Sequence, residues 1–195
     1  MSQDVQWEAY DYPEIFFEEK IHEIRRGQPD PRQVDRLAQV LKASKQPIII
    51  AGGGVLYSEA EQELSNFAKK HNIPVTATVM GIGCMDRDDP YYISAVGCLG
   101  DGSSNSLSKD TDMALAIGTK LADFTTGSWT NFQNENFKLA SINTSRFDTT
   151  KHRATPVISD AKIGLIELSK ALGDWKAPGS WYDRSQKEKK EWEAD

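Results

Sequence analysis

The sequence holds few of the side chains that usually announce chemistry. Its two cysteines, Cys84 and Cys98, are separated by 13 residues, fit no Cys-x-x-Cys metal or redox spacing, and read as unpaired thiols. The three histidines, His22, His71 and His152, are far apart, and none has a Cys, Asp or Glu at ligand spacing on a shared face, which argues against a structural metal. No Gly-x-Ser-x-Gly elbow occurs, and Ser128, in Thr-Gly-Ser-Trp, has no obvious base, so no hydrolase triad can be assigned. No apolar run approaches the roughly 18 residues of a membrane span. The start, Met-Ser-Gln-Asp-Val-Gln, lacks the basic and apolar regions of an export signal. A cytoplasmic protein with no membrane partner is expected. Basic charge is also scarce: 23 Lys and Arg stand against 29 Asp and Glu, a net charge of −6, which disfavours a nucleic-acid partner.

What the chain does have is an alternation of short apolar runs with amphipathic segments. Ile48, Ile49 and Ile50 form a β-branched run with no polar alternation, which suits a strand buried on both faces of a parallel sheet. Gly52, Gly53 and Gly54 follow at once. Ser58 stands three residues before Glu61, the spacing of a capping box, and Leu64, Phe67 and Ala68 repeat at helical intervals. A second strand is expected over about 75–79. Asp30-Pro31 reads as the N-cap and first residue of an earlier helix, whose apolar stripe is Val34, Leu37, Val40 and Leu41. Further strands are expected at 93–97, 113–117, 139–142 and 157–158, with a helix entering at 103–109. An amphipathic helix over 161–172 closes on Gly173. The reading is an α/β fold, a Rossmann-like parallel sheet of about six strands flanked by helices, in which ligands gather beyond the strand ends.

The two ends differ in composition. Residues 1–28 are rich in aromatics and charge without a sustained period, and residues 174–195 hold three tryptophans and a Lys/Glu run. The expected organisation is a linker from a missing N-terminal domain (1–28), a central domain (29–173), and a linker with the start of a missing C-terminal domain (174–195).

The glycines after the first strand supply the first two positions of a G-x-G-x-x-G fingerprint, but Tyr57 fills the third, and the second strand ends without an Asp or Glu for a ribose. A tight strand-to-helix turn and a phosphate-binding loop are both open readings. Asp123, Thr125 and Thr126, beyond the strand ending at Gly118, are further site candidates, with a solvated loop as the alternative.

Gly-Gly-Gly-Val (52–55), Thr-Val-Met-Gly-Ile-Gly (78–83), Gly-Cys-Leu-Gly (97–100), Ala-Ile-Gly-Thr-Lys (116–120) and Ile-Asn-Thr (142–144) together resemble the central domain of thiamine diphosphate-dependent enzymes related to acetohydroxyacid synthase. The stretches 3–13 and 123–128 look like one branch, the hydrolases that open a cyclic 1,2-dione in myo-inositol catabolism. The resemblance implies a parent enzyme that acts on a C–C bond with thiamine diphosphate and Mg2+ bound by its flanking domains, works as a homo-oligomer, and leaves this piece inactive alone. Gly100-Asp101-Gly102 is similar to the start of the family's magnesium-diphosphate motif, but the paired asparagines are missing, and a turn into a helix explains it.

Some relatives bind FAD or ADP in this domain. The resemblance carries that role to Gly52, Gly53, Gly54, Thr78, Met80, Gly97, Gly100, Gly118, Thr119, Lys120 and Asn143. Flavin-binding relatives generally have an arginine where this chain has Lys120 and an aspartate where it has Asn143. Lysine does not replace a planar bidentate phosphate partner, and the amide carries no charge.

Overall fold

The structure, a computed structural model, describes residues 2–194. A short helix α1 (Gln3–Trp7) and a 3-10 turn at Glu14–Phe17 lie in the N-terminal arm, and neither buries a residue. Tyr12 stacks on Phe16 with ring centroids 4.6 Å apart, yet both rings stay exposed. Regular packing begins with α2 (Pro31–Lys42). Asp30 caps it by accepting the Arg32 N–H, and Pro31 occupies the first turn, where a missing N–H costs nothing.

The chain then alternates: β1 (Pro47–Ala51), α3 (Gly53–Tyr57), α4 (Glu61–His71), β2 (Val75–Ala77), β3 (Tyr92–Ala95), α5 (Gly102–Asp110), β4 (Met113–Ile117), α6 (Asp123–Thr126), β5 (Lys138–Asn143), α7 (Arg146–Thr150), β6 (Thr155–Ile158), α8 (Ala161–Leu172) and α9 (Gly179–Ala194). The six strands form one all-parallel sheet in the order β3-β2-β1-β4-β5-β6. Its register sets Ala51 against Ala77 on one side and Ile117 on the other, and Ile117 against Ile142.

Strand alternation divides the core. Ile49, Ala51, Leu115 and Ile117 face the layer built by α2, α4 and α8, while Ile48, Ile50, Ala114 and Ala116 face Leu107 of α5 and Trp181 of α9. Both faces of β1 are therefore covered, which is why it shows no polar alternation. The Trp181 indole N–H donates to the Pro47 carbonyl at 2.8 Å, and the ring is buried against that second layer.

Two expectations fail locally. The second strand ends at Ala77, because Val79–Gly81 turns into a 3-10 helix. Ser58 does not cap α4, whose N-cap is Ala60 and makes no side-chain bond. Glu59 takes a positive φ of 52°, so the chain reverses there. The Ser58 hydroxyl donates instead to Asp160 at 2.8 Å. Both cysteines are free: Cys98 is exposed, while burial pushes the Cys84 thiol up to about 12. His71 is buried under α8, with Nδ1 2.7 Å from the Trp175 carbonyl and Nε2 3.0 Å from the Ser169 hydroxyl.

Candidate functional site

In a parallel sheet every strand delivers its C-terminal loop to the same edge. The strand order reverses between β1 and β4, so the loops after these two strands diverge and leave a crevice. It has a volume of about 800 Å³ and is walled by the segments that follow β1, β2, β4, β5 and β6.

The glycines make the floor possible. Gly54 N–H donates to the Gly118 carbonyl at 3.0 Å, and Gly52 N–H to the Ile117 carbonyl at 2.8 Å. A Cβ on Gly54 would sit 2.6 Å from the Gly118 Cα, and one on Gly52 2.5 Å from the Gly118 oxygen. Gly118 itself has φ +61°, the left-handed region that disfavours a side chain. Two of the three consecutive glycines thus serve backbone-to-backbone packing at the switch point. Gly53 differs: a Cβ there would meet its nearest neighbour, the Met80 carbonyl, at 3.1 Å.

The polar groups of the crevice are mostly tied to one another. The Asn143 amide donates to the Thr119 carbonyl at 3.1 Å, and its oxygen accepts the Ser145 N–H at 2.9 Å, lacing the β4 and β5 loops together. Asp160 caps α8 through Lys162 and Ile163 N–H groups and holds Arg26 at 3.0 Å. Burial alone would push the Asp148 carboxyl up, but the Lys151 ammonium at 3.0 Å, the Ser145 hydroxyl and the field of Lys120 hold it below the usual carboxylate range. The walls are apolar where Val79, Met80, Tyr57, Phe124 and Ile24 stand exposed.

Of the expected site residues, Gly53, Gly54, Thr78, Met80, Gly118, Thr119, Lys120 and Asn143 line this crevice, and Thr125 joins them. Gly52 lies behind the wall. Gly97 and Gly100 stand outside the lining, where a Cβ would run into the Phe124 and Ala95 carbonyls respectively. Asp123 and Thr126 are not part of the lining either. Missed from the sequence were Ile24 and Arg25 in the arm, Tyr57, and the pair Asp148 and Asp160. Asp160 lies two residues beyond β6, and a charged residue just past a strand end was a usable signal. Nothing in the aperiodic arm marks Arg25.

The Gly-Asp-Gly stretch is a helix start. Asp101 is the N-cap of α5, accepting the Ser104 N–H at 3.0 Å and the hydroxyls of Ser103 and Ser104.

Residues 34–168, more than half of the chain, match the family model described as thiamine pyrophosphate enzyme, central domain. The chain belongs to this family. It is similar to the 3D-(3,5/4)-trihydroxycyclohexane-1,2-dione hydrolase of Clostridium tetani, 38% identical over 193 residues, covering 99% of this chain and 30% of the relative. Proteins of the same name from Geobacillus thermodenitrificans (38% identical over 175 residues, 90% of this chain and 27% of the relative) and Bacillus cereus (36% over 195 residues, 100% and 30%) are comparably similar. The chain therefore spans less than a third of the length of these relatives.

The Gly-Asp-Gly stretch of this domain does not fit a magnesium-diphosphate site. The one aspartate in a suggestive motif, Asp101, is occupied as a helix cap. Among the described residues no group of three or more His, Cys, Asp or Glu side chains is arranged to hold a metal ion. Among the same residues no helix is long and apolar enough to cross a membrane.

Proposed function

We propose that this chain is the non-catalytic central unit of a thiamine diphosphate-dependent hydrolase that opens the ring of 3D-(3,5/4)-trihydroxycyclohexane-1,2-dione in myo-inositol catabolism. The observation that carries this reading is the 38% identity over 193 residues to a relative of that name. The unit, whose core includes Trp181 of α9, positions flanking domains that bind the cofactor and Mg2+, with residues 1–28 and the chain around α9 connecting it to them, in a cytoplasmic homo-oligomer. The test compares the full gene product with this chain alone, each supplied with thiamine diphosphate, Mg2+ and the dione. Turnover by the full product and none by the chain is expected. Dione consumption by the chain alone, or by neither, overturns the reading.

A second reading concerns the crevice, as a site for FAD or ADP. It is favoured by the position of the crevice at the switch point and by its size, which falls in the range of about 300–1,000 Å³ common to small-molecule sites. Asn143 is spent on the loops, so the contacts would fall to Lys120, the Gly53 loop and the apolar walls. A ligand that binds only the native state raises the melting temperature by mass action. A dose-dependent rise with FAD or ADP, and none with NAD or thiamine diphosphate, is the expected thermal-shift result. No rise with any of the four refutes it.

A further inference from the structure

We propose that Arg25 is an anion-binding residue of the crevice, supplying with Lys120 the contacts for the diphosphate of a bound ligand. The inference rests on the crevice being a ligand site and names the residue and ligand chemistry that such a site would use.

The arm has no regular structure around Arg25, yet it is fastened one residue later. Arg26 pairs with Asp160 at 3.0 Å and reaches Glu59 at 3.5 Å. The Gly27 carbonyl accepts the Asp160 N–H at 3.1 Å and the Ser159 hydroxyl at 3.0 Å. This clamp fixes the arm to the turn between β6 and α8, at the edge of the crevice, and Arg25 enters the lining.

Charge in the crevice is then unbalanced. Its carboxylates, Asp148 and Asp160, are each already ion-paired, to Lys151 and Arg26. Lys120 makes no ion pair or hydrogen bond among the described residues, although its field is felt at Asp148. Arg25 likewise has no partner among them. Two uncompensated cations therefore line one cavity in a chain whose net charge is −6. A guanidinium presents a planar fork of N–H donors that matches phosphate oxygens in pairs, whereas an ammonium offers only a point charge. Arg25 thus brings to the crevice the fork that position 120 lacks. The exposed Ile24, Tyr57, Met80 and Phe124 offer apolar surface for a flat ring beside it.

The experiment is calorimetric titration of the chain with ADP, adenosine and inorganic pyrophosphate at low and high salt, repeated with Arg25→Ala, Arg25→Lys and, as a control on an exposed arginine of α2, Arg36→Ala. Hydrogen bonds to a charged group are worth enough for Arg25→Ala to weaken ADP binding about 10- to 100-fold. Adenosine binding should not change, the salt dependence should flatten, and Arg25→Lys should recover only part of the loss. Arg36→Ala should bind ADP like the parent chain. Pyrophosphate binding that needs Arg25, without adenosine binding, supports the anion site with a ligand other than a nucleotide. ADP binding that is unchanged in Arg25→Ala overturns the assignment while leaving the crevice a ligand site. No binding of any of the three removes both.

Discussion

The contact between Gly54 and Gly118 holds the two diverging loops of the crevice together, and alanine at either position tests it. Alanine at 118 must adopt φ near +61°, which costs about 1–2 kcal/mol for an L-residue. Its Cβ would also lie 2.6 Å from the Gly54 Cα and 2.8 Å from the Gly54 carbonyl carbon. These are backbone atoms that no rotamer change can move. Forcing such a contact apart costs about 1–3 kcal/mol by analogy with overpacked cores. Gly118→Ala should therefore lose about 2–5 kcal/mol, and Gly54→Ala, without the φ penalty, about 1–3 kcal/mol. Gly53→Ala is the control. Its Cβ meets the Met80 carbonyl at 3.1 Å, which needs a shift of only tenths of an ångström. Alanine is also the better helix former, so this variant should stay within about 0.5 kcal/mol of the parent.

Urea unfolding reads these differences as midpoint shifts at constant slope. In a thermal scan the Gly118→Ala loss corresponds to roughly 4–20 °C for a domain of this size. The reasoning is refuted if Gly118→Ala unfolds with the parent, or if Gly53→Ala is as damaging as Gly118→Ala. A stable Gly53→Ala chain also gives a clean probe of the crevice, since any loss of ligand binding would not come from a weakened fold.

Trp181→Ala should cost about 3–5 kcal/mol in urea unfolding, the usual loss for a buried aromatic, and Trp181→Phe about 1 kcal/mol for the lost indole bond to Pro47; a parent-like Trp181→Ala chain would mean that α9 contributes nothing to the core. His71 is held neutral: burial, and then the nearby Lys70, Lys176 and Lys42, lower its pKa against the opposing bond to Trp175. Because the unfolded chain takes up the proton first, near the usual value of about 6.5, stability should be fully present above that pH and decline as pH falls below it, until the folded imidazole also titrates. Urea midpoints of parent and His71→Gln between pH 7.5 and 5 should converge as pH falls; parallel curves would rule out this role.

The sheet was legible because its signal is local. The β-branched run 48–50, the small and apolar 113–117 and the Asp30-Pro31 helix start each carry their structure in neighbouring residues. Other features were set by tertiary contacts that local patterns do not encode. The spacing of Ser58 and Glu61 satisfies a capping box, but Asp160 outcompetes the local cap for the Ser58 hydroxyl. Gly97 and Gly100 look like ligand loops because glycine permits close approach, and the sequence cannot say that what approaches is the chain's own backbone. Arg25 was invisible for the opposite reason. It lies in an aperiodic stretch, and only the clamp formed by Arg26 and Gly27 brings it to the crevice.

Asn143 shows how such long-range use can explain a departure from the flavin-binding pattern, in which an aspartate is expected. Its amide must donate to the Thr119 carbonyl while its oxygen accepts the Ser145 N–H. A carboxylate could keep the second bond but not the first, and would set an anionic oxygen against a carbonyl. Asn143→Asp should cost about 1–3 kcal/mol at pH 7, the usual loss when a buried partner goes unmatched. The protonated acid can donate again, so folding should favour it and raise the pKa of the new carboxyl above the usual value of about 3.9. The deficit relative to the parent should therefore be present at neutral pH and shrink as pH falls through that raised value. Urea midpoints of parent and variant at pH 7 and pH 4.5 measure both effects. Equal stability at pH 7 would show that the lacing of the β4 and β5 loops does not depend on the amide, and that position 143 is free to serve a ligand.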